Sequence, residues 1–195
     1  MLILSSFFAK TWLAPQDVSE TNRDNLRQGY IRDLKVLRGA FSGPLSPIIA
    51  ECLTSIDDIM SLPMVLVHRD FGCCNLLVNE TTCHLQGVID WAEATICPFG
   101  LNLHSLLAFM GKTHIERGWE RFPDYDALQD TFWKVFLHEV GGLSDETVKV
   151  IKKARVLGML LSHGFTCRLA NESEPVPLKD DEYGRQNKRY LMCFL

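Results

Sequence analysis

An apolar run, MVLV at 64–67, stops at His68-Arg69-Asp70. A second, LLV at 76–78, starts directly after Asn75. This broken run constrains the fold more than any other feature of the chain. Both pieces are too short for helices, and both end in valine, so they read as strands. HLQGVI at 84–89 reads as a further strand, and the polar NETT at 79–82 as the turn of a hairpin. The polar residues that interrupt the run therefore sit at the edges of a small β element.

On either side the apolar spacing becomes helical. Leu26, Tyr30, Leu34 and Leu37 share one face, and Gly39 ends the run. Ser46-Pro47 reads as an N-cap followed by proline at the first helical position. A stripe of Ile48, Ile49, Cys52, Leu53, Ile56 and Ile59 follows, closed by Pro63. After Asp90 the helices return. One spans 103–110, and another carries Leu128, Phe132, Val135, Phe136 and Val140 and stops at Gly141-Gly142. A third, capped by Ser144, runs through Val148, Ile151, Leu157 and Leu161 to about 169. Residues 171–184, with two prolines, read as a loop, and the apolar end YLMCFL as a segment that packs back. The expectation is a mainly α chain with a small β hairpin, an α+β fold. It forms a single unit over 1–195: a helical lead-in at 1–63, the hairpin region at 64–110, a helical region at 111–170 and a returning tail at 171–195.

The net charge of −4 includes no long block of one sign, which argues against a nucleic-acid groove or a membrane-surface helix. VLGMLLSHGF at 156–165 is too short to span a bilayer. The apolar N-terminus lacks a basic lead and is broken by Ser5 and Ser6, so it does not read as a secretion signal. Seven cysteines, an odd number without a C-x-x-C pair, argue against a disulfide framework or zinc ribbon. Reduced thiols and a cytoplasmic location are the expectation.

Phosphoryl transfer needs a carboxylate beside the attacking hydroxyl and oxygen ligands for magnesium on the nucleotide phosphates. A loop between two strands can aim an Asp and an Asn at one point, and a second Asp after the hairpin can reach it. Asp70, Asn75 and Asp90 supply that set.

HRDFGCCN fits H-x-D-x-x-x-x-N and resembles the catalytic loop of protein kinases and of aminoglycoside phosphotransferase-like (APH/choline kinase-type) enzymes. GVIDWAEA resembles the I-D-W segment of the latter. Residues 64–110 carry the resemblance. It implies the C-terminal lobe of a protein-kinase-like fold, with ATP and Mg2+ as cofactors and a small-molecule hydroxyl as acceptor. It implies catalytic roles for Asp70, as base or as the group orienting the hydroxyl, and for His68 and Arg69 around it. Asn75 and Asp90 would hold magnesium and thereby the nucleotide, His68 would brace the loop through the backbone or Asp90, and Trp91 would pack beside the metal. Arg69 stands where the phosphotransferases more often have glycine. Cys97-Pro98 and Asn102 stand where the family carries acids, which marks a divergent branch. No glycine-rich loop or strand-borne lysine is legible, and Lys35 falls on a helix. The N-terminal lobe is therefore expected to be missing, the activity of this chain alone to be low, and a partner chain to cover the exposed face. The rival is a non-catalytic lobe that binds a partner, or an inert fragment.

Other residues carry plainer expectations. Cys73 and Cys74 read as buried small hydrophobes, and Glu93 as a solvated carboxylate. Trp119, Phe122 and Tyr125 read as helix packing. His104, His114, His138 and His163 form no ligand spacing. Lys149, Lys152, Lys153 and Arg155 read as the wet face of a helix.

Overall fold

The computed structural model describes residues 1–82, 84–114, 118–166 and 175–194. Helix and small antiparallel β pairs alternate along the chain. Helix α1 (Leu2–Trp12) lies against α5 (Tyr125–Glu139). Their aromatic rings interlock: Phe8 meets Phe132 at 6.1 Å, and Trp12 meets Phe99 at 5.0 Å and Phe136 at 6.3 Å. The apolar N-terminus thus belongs to the core, where Phe8, Phe99 and Phe136 are wholly buried.

Helix α2 (Glu20–Ala40) contains the expected helical face, with Leu34 and Leu37 fully buried. It starts earlier than the apolar spacing shows. Its first turn is polar and is fixed by Ser19, whose side chain accepts from the Asn22 N–H at 3.3 Å. The next helix differs from expectation at its start. α3 (Leu45–Thr54) opens after the turn at Gly43, with Pro44 at its cap position, and Ser46 makes no side-chain cap. Pro47 falls within the first turn, where its missing N–H leaves nothing unpaired. The apolar stripe is also interrupted: Ser55, buried and bound by Lys153 Nζ at 3.0 Å, separates α3 from α4 (Ile56–Met60).

Strand β1 (Met64–Val67) pairs antiparallel with β4 (Thr95–Pro98), Met64 opposite Pro98 and Val67 opposite Thr95. β4 was not legible in the sequence: it is four residues long and ends in proline. The expected hairpin forms from β2 (Leu76–Val78) and β3 (Leu85–Val88), with an irregularity between Leu77 and Val78. Its turn is held by Asn79, whose Oδ1 accepts from the N–H groups of Thr81 at 3.0 Å and Thr82 at 2.8 Å.

Residues Leu103–Phe109 form a 3-10 helix rather than an α-helix. Beyond it the expected helical region begins with a hairpin, β5 (Gly111–His114) and β6 (Gly118–Arg121). Trp119 is buried there against Gly111, where an added Cβ would fall 2.4 Å from the indole. Glycine is needed at 111 because the ring occupies that space. The sequence GKTH has no apolar alternation, so this hairpin left no pattern to read.

Helix α6 (Asp145–His163) begins at Ser144, whose hydroxyl accepts from the Thr147 N–H at 3.1 Å, as expected, but it stops at Gly164, short of the expected end near 169. At Gly158 the strand-to-helix connection crosses so closely that a Cβ would lie 1.7 Å from the Leu101 carbonyl oxygen. The tail returns: Phe165 pairs with Pro177, and the Leu178 N–H donates to the Gly164 carbonyl at 3.1 Å. α7 (Glu182–Phe194) follows, anchored by the fully buried Leu191.

Among the described residues no helix is long and apolar enough to cross a membrane. Cys52, Cys73, Cys74 and Cys97 are free thiols, and Cys83 and Cys167 lie outside the described residues.

Candidate active site

β1 delivers His68 into the interior, where it is 2% exposed. Its Nε2 lies 2.8 Å from the Ile89 carbonyl oxygen. A carbonyl only accepts, so Nε2 carries a proton and donates it to Ile89. The His68 Nδ1 is buried and has no hydrogen-bond partner. The ring rests edge-on against Trp91 at 4.9 Å, and Trp91 Nε1 donates to the Val88 carbonyl at 2.8 Å. His68 and Trp91 thus grip the far end of the hairpin.

Phe71 turns into the core. It stacks on Phe7 at 5.0 Å and meets Phe8 at 5.3 Å and Phe109 at 6.0 Å. Between these two anchors, Arg69 and Asp70 are exposed. Cys73–Asn75 form a short 3-10 turn. The Asn75 N–H donates to the Gly72 carbonyl at 3.0 Å. Its side-chain Nδ2 donates to the Asp70 carbonyl at 2.8 Å and to Asp70 Oδ2 at 3.2 Å. The Ile89 N–H in turn donates to the Asn75 carbonyl at 3.0 Å. Ile89 is therefore held on both sides, its carbonyl by His68 and its N–H by Asn75.

Asp90 follows with φ +60°, which no other described non-glycine residue shares with a positive value. A side chain held there costs about 1–3 kcal/mol and persists where its surroundings fix it. The two hydrogen bonds to Ile89 are that fixation. Asp90 itself is exposed, and its carboxylate takes no hydrogen bond or ion pair from the described residues.

Asp70 and Asp90, twenty positions apart, line one cleft of about 650 Å3 together with Arg69 and Glu93. The opposite wall comes from the end of α6, with Ser162 and His163, and from α7, with Tyr183 and Asn187. The spacing of α6 marks only its buried face, and α7 reaches the cleft through the returning tail. No sequence signal pointed to these four. Asn75 does not line the cleft and is joined to it through Asp70. His68 lies behind the cleft, in contact with the backbone before Asp90. Glu93 is exposed, as expected, on the rim of the same cleft.

A smaller cavity of about 170 Å3 lies behind Arg69, lined by Tyr30, Asp33, Asn102 and His104 and sharing Leu161 and Ser162 with the cleft. Burial dominates its electrostatics. It pushes the Tyr30 hydroxyl up, and the Cys97 thiol up to about 12, with Arg69 offsetting part of both shifts. Burial, then the nearby His163, lowers His104 to about 4. His104 and His163 rings stand perpendicular, 5.6 Å apart. Among the described residues no three of His, Cys, Asp or Glu converge to hold a metal.

Two expectations need correction. Cys73 and Cys74 are exposed, because the turn that carries them faces away from the core. Arg155 is half-buried, and burial disfavours its charge, so it is not part of the wet face. Lys153 reaches across to Ser55. Trp119 packs against Tyr125 at 5.8 Å, and neither lines the cleft.

The donor chemistry fits magnesium. Asp90 offers the cleft an unengaged carboxylate, whereas Asn75 does not line it and spends its amide nitrogen on Asp70. One or two such hard oxygen ligands plus phosphate oxygens is what magnesium takes on a nucleotide. The family model described as the phosphotransferase enzyme family, APH, matches residues 8–130, more than half of the chain. No curated protein matches.

Proposed function

This chain belongs to the phosphotransferase enzyme family, and on that premise we propose that its cleft serves ATP- and magnesium-dependent phosphoryl transfer to a hydroxyl of a small molecule. The observation that carries the reading is that Asp70 and Asp90 line one cleft while Asn75 is bonded to Asp70 and to the residue before Asp90. It supports reading the chain as the C-terminal lobe of a protein-kinase-like fold.

Asp70 accepts the proton of the acceptor hydroxyl as its oxygen attacks the terminal phosphorus. The bond from that phosphorus to the bridging oxygen breaks, and ADP leaves. Asn75 and Asp90 would hold the metal, which would supply charge neutralisation on the phosphates. His68 acts on Asp90 through the Ile89 carbonyl, fixing its backbone. Arg69 brings positive charge to the cleft. Asp70, Asp90 and Glu93 otherwise make the cleft repel phosphates, so nucleotide binding requires the divalent cation.

The clamp on the nucleotide is the weak part. Among the described residues no lysine lines the cleft. Lys112, on β5, has its Nζ 4.0 Å from Glu120 across its own hairpin. The exposed apolar side chains of Leu77, Val78 and Ile89 border the hairpin that carries the site. A second body docked there, with a phosphate-binding lysine, would complete the enzyme. The same exposed strip favours the second reading, a non-catalytic lobe that binds a partner.

Calorimetry with ATP and Mg2+, and an ADP-release assay over candidate alcohols, separate the readings. Expected is weak, magnesium-dependent ATP binding, lost in Asp90→Ala and kept in Asp70→Ala, with turnover by this chain alone below about 1 per second. Binding unchanged in Asp90→Ala would remove the assigned role. Faster turnover would mean that this chain supplies its own phosphate clamp.

A further inference from the structure

We propose that the cavity of about 170 Å3 behind Arg69 is a binding site for a small free α-amino acid. The first observation is unspent hydrogen-bonding capacity. Asn102 lines the cavity and is 4% exposed, yet among the described residues its side-chain amide makes no hydrogen bond. The hydroxyl of Tyr30, half-buried in the same wall, makes none either. A buried amide left unpaired has lost its water and gained nothing for it, so native folds seldom keep one. The space in front of Asn102 is therefore built for a polar guest.

Charge narrows the guest. Arg69 and Asp33 both line the cavity. The Tyr30 hydroxyl feels both: burial and then Cys97 raise it, and beyond these Arg69 lowers it while Asp33 raises it. Asp33 is 5% exposed and meets Arg32 Nε at 3.5 Å. A carboxylate offers about four lone-pair sites, so that contact leaves room for a further donor. His104 gives its Nδ1 proton to the Leu101 carbonyl at 2.7 Å, and burial keeps the ring uncharged at neutral pH, so its Nε2 accepts. A zwitterion is matched at both ends, its carboxylate on Arg69 and its ammonium on Asp33. A plain anion would meet the Asp33 charge without compensation, and a plain amine would leave Arg69 unused.

Size narrows it further. A dry cavity of about 150 Å3 takes a ring of about six atoms. The head of an α-amino acid together with its Cβ also has about six non-hydrogen atoms, whereas a hexose has about twelve and a purine base about ten, too many for this space. Alanine and serine are of the right size. Asp70, Asn75 and Asp90 do not line the cavity, so this site stands apart from the phosphoryl-transfer reading and does not depend on it.

The test uses the full chain without nucleotide, titrated with L-alanine in a calorimeter at pH 7. A dissociation constant of about 1 mM or tighter is expected, within what a ligand of six atoms supports. Propionate lacks the ammonium and ethylamine lacks the carboxylate, and each is expected to bind at least about tenfold more weakly. Asp33→Asn is expected to bring alanine down to the level of propionate. In the NMR spectrum of the wild type, the ring signals of the buried His104 are expected to shift with alanine, and those of the exposed His84 to stay. The ligand comparison and the spectra need no variant, so they decide the matter even where Asp33→Asn fails to fold. No binding by about 10 mM alanine would mean that water alone fills the cavity and would overturn the proposal. Equal binding of propionate or ethylamine would overturn the zwitterion match, and shifts at His84 without any at His104 would place the guest elsewhere.

Discussion

Asp70 and Asp90 face the same cleft, but the molecule holds them in opposite ways. The Asp70 loop is bolted to the core by an aromatic side chain, Phe71, packed on Phe7, Phe8 and Phe109. Asp90 stands at the end of a hairpin whose Leu77, Val78 and neighbouring Ile89 side chains face solvent. Its position depends on main-chain hydrogen bonds to His68 and Asn75. One carboxylate is placed by burial and the other by directed bonds. The first device is strong and insensitive to angle. The second is weaker, but it can enforce a backbone conformation that burial alone would not choose.

The comparison sharpens most at Phe71. Phe71→Ala is expected to cost about 3–5 kcal/mol of stability through the cavity it leaves among packed rings, measured by urea unfolding. A loss below 1 kcal/mol would mean that the loop does not depend on the core.

The cavity behind Arg69 extends the dry side of the comparison. His104 has its folded value lowered to about 4 from an ordinary 6.5, mainly by burial. The unfolded chain therefore binds the extra proton more readily. The stability this group contributes is whole above about pH 6.5, falls as pH drops toward about 4 and levels off below that. The full swing is on the order of 3 kcal/mol. Unfolding measured at pH 7 and pH 4.5 in wild type and in His104→Leu isolates it, since the carboxylates are common to both. An equally steep loss in the variant would assign the acid sensitivity elsewhere.

On the hydrogen-bonded side, His68→Phe keeps the ring and removes the bond to Ile89. About 1 kcal/mol of stability is expected to go, with a larger proportional loss of magnesium-dependent ATP binding as Asp90 loosens. Equal binding in the variant would show that the Asn75 bond alone holds Ile89.

The smallest effect has the opposite sign. Asp90→Gly removes a side chain from a left-handed backbone position and is expected to stabilise the fold by up to about 1 kcal/mol. The same change should abolish metal-dependent nucleotide binding. A destabilised Asp90→Gly would mean that the carboxylate has a structural partner in solution.

The same contrast explains what could be read from the chain. The β1–loop–hairpin segment was legible because its strands are short apolar runs and its Asp, Asn and Asp interrupt them at fixed intervals. His68 was legible as a brace because a histidine ending a buried strand needs a partner at the next edge. Three things were not legible. β4 is paired through its backbone and ends in proline, so its composition resembles a loop. β5 carries no alternating apolar face, since its contribution to packing is the empty space above Gly111. The α6–α7 wall of the cleft arises where a tail folds back across a distant helix end. Cys73 and Cys74 were misplaced for a related reason: composition gives a cysteine's average burial, whereas a tight turn decides its direction.

Both clamps on Ile89 use its main-chain atoms and leave its side chain in solvent. The position is therefore indifferent to almost any replacement of that side chain, and sequences that differ at 89 can share one site geometry. Proline is the exception, because it has no N–H to give Asn75. A residue that positions a cleft carboxylate can in this way drift freely in identity, and its importance would be invisible to any ranking of positions by how little they vary.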